Sequence, residues 1–195
     1  MENFFLSYNL SWTLSKTLPY LLVLVGGVFL SYFYYKKVKK LTFLRFIIWI
    51  IPFAIYFILN PIYEGDFSNS FRNLKLKNAF IQSEKNQLIV ITIPGCPYCM
   101  ASIQTIKNIK KRVPNLNVKY VICSSDSSST DIYKKEINGA FPINIATNAQ
   151  FYANLTMGRF PSFMLVSNSA AQIWSNDAFG SLAKDNVESF FKSLN

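Results

Sequence analysis

Hydrophobic and polar positions change their pattern at about residue 63. Before it, two stretches of 18 residues, Leu18–Tyr35 and Phe46–Tyr63, carry no charge. At about 1.5 Å per residue, each would reach roughly 27 Å as a helix, close to the thickness of a bilayer's hydrocarbon core. The pattern predicts an N-terminal segment, 1–63, with two transmembrane helices at about 18–35 and 46–63. Between them, Lys36, Lys37, Lys39, Lys40 and Arg45 are all positive, with no acid among them. Tyr32, Tyr34, Tyr35, Trp49, Tyr56 and Tyr63 supply aromatic anchors near the expected ends. Gly26, Gly27 and Pro52 are tolerated inside spanning helices, where they mark close packing or a kink. A cleaved signal peptide fits poorly. The first stretch starts late, has only Lys16 before it and lacks a small-x-small exit. A buried soluble helix pair is the bland alternative, and two such runs flanking a tetrabasic loop are hard to bury in a short chain.

After residue 63 the periodicity is that of a soluble domain. Residues 64–86 are mixed and polar and read as a linker with a short helix around Asn78–Lys85. Leu88–Ile93 is apolar at five of six positions, as a strand covered on both faces requires. It meets Pro94-Gly95 and then Cys96-Pro97-Tyr98-Cys99. Ile103, Ile106, Ile109 and Val113 follow at helical spacing up to Pro114. Further strands are expected at Val118–Cys123, Ile143–Ile145, Pro161–Val166 and Ala171–Trp174, with a turn at Asn168-Ser169. Helices are expected at Asp131–Ile137, after Asn148 as a cap, and along Val187, Phe190, Phe191 and Leu194. The order β-α-β, an intervening segment, then β-β-α predicts an α/β domain with a mixed sheet over 87–195.

Composition narrows the chemistry. The 195 residues include no histidine and three cysteines, which excludes Ser-His-Asp and Cys-His catalysis and histidine-held metals. Zinc would need four ligands, and Cys123 is the one cysteine outside the motif, so no metal site is expected. The formal charge of +10 is in part the basic loop, since fourteen of twenty basic residues and nine of ten acids lie after Tyr63. Lys107, Lys110, Lys111 and Arg112 cluster toward the end of a predicted helix, where cations favour the dipole. They read as a solvated face rather than a nucleic-acid track. By the positive-inside rule the basic loop is cytoplasmic, and both termini are outside, in an oxidising compartment.

A Cys-x-x-Cys at the first turn of a helix has a physical logic. Cys96 receives the positive end of the helix dipole and unpaired backbone N–H groups, which favour the nucleophilic thiolate. Cys99 lies one turn on and can attack a mixed disulfide formed at Cys96, releasing the substrate. Pro97 at the first helical position forfeits no hydrogen bond. A purely structural Cys96–Cys99 disulfide is the plain alternative, although so short a loop gains little from closure. Cys123 reads as a small core residue at a strand end, with a resolving role as the alternative.

The strand–Cys-x-x-Cys–helix start, together with Gly158-Arg159-Phe160-Pro161-Ser162-Phe163-Met164-Leu165-Val166, resembles thioredoxin. Asp177-Ala178-Phe179-Gly180 and the closing helix are similar to its C-terminal half. The resemblance implies a thioredoxin-like fold, a cis-proline at Pro161 facing the dithiol, and a Phe160 backbone that pairs with a substrate strand. Pro97-Tyr98 resembles the dipeptide of glutaredoxin, although Arg159-Phe160 stand where glutaredoxins carry Thr-Val. Phe141–Ile145 through Phe151-Tyr152-Ala153 is similar to the extra strand and helix of bacterial membrane-anchored thioredoxin-like proteins. Val90 occupies the position where thioredoxin places a buried Asp.

These readings converge on a thiol–disulfide oxidoreductase in the cytoplasmic membrane, two-pass, with its C-terminal domain facing the periplasm or cell exterior. Cys96 and Cys99 are the expected catalytic pair, and Phe160, Pro161, Pro97 and Tyr98 the substrate contacts. No cofactor is expected beyond the redox-active Cys96–Cys99 disulfide. The expected partners are client proteins with thiols or disulfides, the bilayer and an integral-membrane electron donor or acceptor, with no nucleic acid. A non-catalytic interaction module of a membrane complex and, more weakly, a thiol peroxidase are the alternatives.

Overall fold

The computed structural model describes residues 2–37, 42–75, 86–124, 130–167 and 170–194. The chain opens with a short helix α1 (Glu2–Ser7), followed by α2 (Trp12–Lys37) and α3 (Thr42–Leu59). A single turn α4 (Glu64–Phe67) leads into the α/β part. There follow β1 (Arg72–Lys75), β2 (Gln87–Thr92), α5 (Pro97–Arg112), β3 (Val118–Ile122), α6 (Thr130–Ile137), β4 (Ile143–Ile145), α7 (Ala149–Thr156), β5 (Ser162–Val166), β6 (Ala170–Ser175) and α8 (Ser181–Lys192).

The six strands form one mixed sheet in the order β1-β6-β5-β2-β3-β4. β2, β3 and β4 are parallel, and β5, β6 and β1 are antiparallel to their neighbours. Every residue of β2 is buried, the apolar run Leu88–Ile91 and the polar Gln87 and Thr92 at its ends alike. Leu88 and Val90 join Ile103, Ile106 and Ile109 of α5 and Val187 and Phe191 of α8 in the larger core. Ile89 and Ile91 face the other way, against Val121, Met164 and Tyr152 of α7. Asn148 caps α7 through its side chain, which accepts from the Phe151 amide at 2.9 Å.

Three expectations change. The stretch read as a linker supplies β1, whose Arg72 and Leu74 pair with Ile173 and Ala171, so it adds the edge strand of the sheet. Four residues with a single apolar position, Leu74, are too short a run to show a period. The helix expected at Asn78–Lys85, the tip of the basic loop and the turn at Asn168-Ser169 lie outside the described residues. Second, α2 begins at Trp12, well before the uncharged stretch, so that Pro19 falls inside the helix. The early start is set from far along the chain: the Asp185 carboxylate accepts from the amides of Trp12 (2.7 Å) and Thr13 (2.9 Å), capping the helix from α8. Third, among the described residues one helix is long and apolar enough, by length and composition, to cross a membrane: Trp12–Phe33 of α2. The apolar part of α3 is shorter, at Ile50–Leu59. The two helices pack together, with Tyr20 against the rings of Phe53, Tyr56 and Phe57 and its hydroxyl donating to the Asn60 carbonyl.

Two buried carboxylates join the helices to the domain. Glu188 accepts from Arg112 Nε (2.7 Å), Trp12 Nε1 (2.5 Å) and Lys192 (3.1 Å). Arg112 also donates to the Leu6 and Leu10 carbonyls at 2.8 Å, so it is not the solvated cation its neighbours suggested. Asp66 accepts from the Tyr63 amide and from the amide and hydroxyl of Ser181, with Lys16 3.7 Å away. Burial pushes both carboxyl pKa values up, but the donors around them outweigh it and hold both below the ordinary range. Beside Asp66, Gly65 and Gly180 touch so closely that a methyl group at either would collide with the other segment's backbone.

Glu188→Ala should leave Arg112 buried without its partner. The expected loss is on the order of 3–5 kcal/mol, read as a lower denaturation midpoint of the full chain in detergent and faster amide exchange at Trp12 and Thr13. Because both folded pKa values are depressed, the docking energy is complete above the ordinary carboxylate range of about 4 and should drain away as pH falls through the lower folded values. A protection factor at Trp12 (exchange relative to the unprotected amide at the same pH) that does not fall in acid would contradict this.

Candidate active site

β2 ends at Thr92, and α5 begins at Pro97. The four residues between must reverse the chain, and Gly95 does so with φ +70°, a left-handed conformation that favours glycine. Tyr133 of α6, buried, steadies the turn by donating its hydroxyl to the Ile93 carbonyl at 2.8 Å. Cys96 then takes the N-cap position of α5 in extended conformation, with Pro97 at the first helical position.

The two cysteines form a disulfide with their Cα atoms 5.2 Å apart. They are not equivalent. Cys96 is half-buried, flanked by exposed Pro94, Gly95, Pro97 and Tyr98, whereas Cys99 is fully buried in the larger core beside Val90 and Ile103. The polar groups that reach Cys96 Sγ belong to the backbone. The Cys99 amide donates at 3.1 Å, and the Phe160 carbonyl oxygen lies 4.0 Å away. An amide and a helix N-terminus aimed at one sulfur favour its negative charge once the bond is opened. Lys110, Lys111 and Arg112 occupy the last turn of α5 and complement the opposite end of its dipole.

The Phe160 carbonyl is brought there by a second tight passage. Helix α7 ends on Met157 in the left-handed region, Gly158 follows with φ +70°, and the Phe160–Pro161 peptide is cis. Ser162 Oγ donates to the Arg159 carbonyl at 2.7 Å and closes the loop. Pro161 is buried and Phe160 half-buried beside the dithiol. A cleft of about 300 Å³ runs along this loop, lined by Phe71, Arg72, Met157, Arg159, Ser162 and Ser175. Arg159 pairs with Asp177 at 4.0 Å, both side chains exposed.

The fold therefore brings Cys96, Cys99, Pro97, Tyr98 and Phe160 to one sheet end, with Pro161 next to them. It does not bring Cys123. That thiol is free and packs with the second core, on the other face of the sheet from Cys99. Burial pushes its pKa up to about 11. Sequence reasoning did not assign a role to Tyr133, although its place on the amphipathic helix α6 marked it as inward-facing. Among the described residues, no group of acids and cysteines could hold a metal ion.

The thioredoxin family matches residues 65–170, more than half of the chain. Among curated proteins there is no significant sequence match. Similar solved structures include a secreted Mycobacterium tuberculosis disulfide oxidoreductase homologous to E. coli DsbE. It shares 13% identity at a TM-score of 0.44, over 57% of this chain and 84% of that one. Another is the MTB protein DsbF, at 14% and 0.46, over 58% and 85%. A thioredoxin-like protein of Bacteroides caccae aligns at 12% and 0.41, over 76% and 62%. The chain belongs to the thioredoxin family. Its Cys-x-x-Cys disulfide places it with the thiol–disulfide oxidoreductases of that family.

In the oxidised protein Cys123 is the free thiol, and its raised pKa keeps it protonated. Alkylation by iodoacetamide at pH 8 should be on the order of a hundredfold slower than for a thiol of ordinary pKa near 9. The rate should climb as pH approaches 11. Rapid labelling at pH 8 would contradict the burial.

Proposed function

We propose that the protein is a membrane-anchored thiol–disulfide oxidoreductase that acts on protein cysteines outside the cytoplasmic membrane. The observation that carries the reading is the asymmetry of the pair: one sulfur half-exposed at a helix N-terminus, the other sealed beneath it. In the reducing direction, the Cys96 thiolate attacks one sulfur of a client disulfide. The client S–S bond breaks, and its other sulfur leaves as a thiolate. Cys99 then attacks Cys96 Sγ, closing the Cys96–Cys99 bond and expelling the second client thiolate. Two electrons pass to the client, and the two protons of the dithiol end on its cysteines. Oxidation of a client is the same sequence reversed. The dithiol is its own redox centre, and no further cofactor is required.

In this reading Phe160 and Pro161 hold the client chain as an added strand, and Pro97 and Tyr98 contact it from the other side of Cys96. The anchor is a two-span hairpin made by α2 and α3. What supports it is apolar surface that water would not tolerate: Leu21, Val25 and Phe29 on α2 and Ile55, Ile58 and Leu59 on α3 are exposed. The basic loop then lies in the cytoplasm and the domain outside, facing the periplasm or exterior. No cysteine lies between Leu18 and Tyr63, so the helices cannot carry thiol-borne electrons. Turnover therefore calls for an integral-membrane donor or acceptor.

Cys99→Ser should accumulate a mixed disulfide through Cys96 when the full chain meets a disulfide-bonded client such as oxidised insulin. Cys96→Ser should form none. A correctly folded Cys99→Ser protein that traps nothing would overturn the reading.

A further inference from the structure

The anchor leaves the domain at a defined place, and that place is the dithiol end of the sheet. α8 runs from Ser181, just after the β6 end at Ser175, toward Lys192 at the far end. Asn115, which follows α5, marks that far end by donating to the Phe191 carbonyl. The N-terminal segment reaches the far end first, where Arg112 holds Leu6 and Leu10. α2 then runs back along α8 in the opposite sense. Trp12 sits at Asp185 and Glu188, and Lys16 sits at Asp66, which is itself bonded to Ser181. One turn later Tyr20 reaches Asn60, beyond the end of α3. The remaining path from Tyr20 to Lys37 amounts to about 26 Å of helix, close to a hydrocarbon core of about 30 Å. The bilayer surface thus falls near the level of Tyr20, Asn60 and Tyr63.

The strand register says what else lies at that level. Ser175 pairs with Ser162, and Ser162 with Ile91, so the ends of β6 and β2 and the start of β5 coincide. Pro161 and Cys96 project from this end. β6 and β2 are separated by one intervening strand, so the dithiol stands about 10 Å along the sheet from the strand whose end adjoins the anchor.

The distribution of exposed apolar side chains points the same way. Past Tyr63, the large apolar residues exposed among the described ones are Phe67, Tyr98, Ile132, Ile145, Met157 and Leu194. All but Leu194 lie at the dithiol end. Ile145 is paired with Ile122, itself opposite Thr92, at the ends of the parallel strands. Ile132 opens α6 beside Tyr133, whose hydroxyl reaches Ile93. Met157 lines the cleft with Ser162 and Ser175. Phe67 closes α4 next to Asp66. Apolar residues gathered around the dithiol, on the end from which the anchor emerges, fit a surface that rests on lipid.

Resting on the reading of the protein as a membrane-anchored oxidoreductase, we propose that the dithiol end lies against the bilayer surface. Cys96 therefore exchanges with cysteines held at interfacial depth in an integral-membrane partner. The docked Trp12–Lys16 turn makes the anchor a mount that sets this orientation rather than a loose tether.

The test uses the full chain in phosphatidylcholine vesicles, with its three cysteines replaced by serine and one spin label introduced at Ile145→Cys, Ile132→Cys or Leu194→Cys. All three sites are exposed, so the fold tolerates the label. The expected result is a several-fold higher ratio of oxygen to nickel-chelate collisions at 145 and 132 than at 194. Equal, water-like ratios at the three sites would overturn the proposal. Asp185→Ala, which removes the cap on α2, should bring the ratios at 145 and 132 toward the value at 194; no change would show that the dock does not set the orientation. Redox titration of the unmodified full chain separates this from the parent reading. A reversible Cys96–Cys99 couple with water-like labels defeats the orientation alone, whereas a couple that does not turn over defeats the oxidoreductase reading.

Discussion

A strand with no exposed residue has to hand its chain to a helix within four residues, and much of the molecule follows from that demand. β2 is buried on both faces, so its position in the sheet is fixed by two cores at once. The reversal at Gly95 therefore delivers Cys96 to a set place at the N-terminus of α5, within reach of the Phe160 carbonyl on the neighbouring loop. Packing of Ile103, Ile106 and Ile109 holds the helix against that strand and keeps Cys99 sealed. The dithiol thus inherits its geometry from apolar burial, with backbone groups supplying the polar contacts.

The second constraint is electrostatic. Glu188, buried beneath the N-terminal segment, would be costly without donors, and it has three side chains around it. Such a network adds little stability over an apolar packing, but it specifies one arrangement, because removing any partner strands the others. Asp66 does the same where the chain leaves α3 and enters the domain. The N-terminal helices and the thioredoxin-like domain are consequently joined at two levels along α8.

Much of the site was legible because its signals are local. The run Leu88–Ile93, the Cys-x-x-Cys and the helical spacing of the isoleucines all sit within 22 residues, and each reports its own structure. Asn148 was readable as a cap for the same reason. β1 was not, since four residues with a charge at each end reveal a strand only when β6 lies beside them. Arg112 was misread because a cation at a helix end satisfies the dipole whether or not a buried acid lies 76 positions away. Val90 illustrates the reverse case. Its sequence position announced the loss of a carboxylate, and its burial in the larger core shows that apolar packing fills the place.

From its sequence alone, the chain has two uncharged apolar stretches followed by an α/β domain with a dithiol at a strand–helix junction. These depend on hydrophobic periodicity, charge distribution and the spacing of two cysteines, all properties of neighbouring residues. The tertiary structure decided which sulfur is sealed and which is open, that Cys123 lies across the sheet from the pair, and where α2 begins. It also decided that α2 docks along α8. Those outcomes depend on contacts between residues as far apart as Trp12 and Asp185, 173 positions away. A periodic pattern records that a residue faces inward, but it carries no record of what it will meet there.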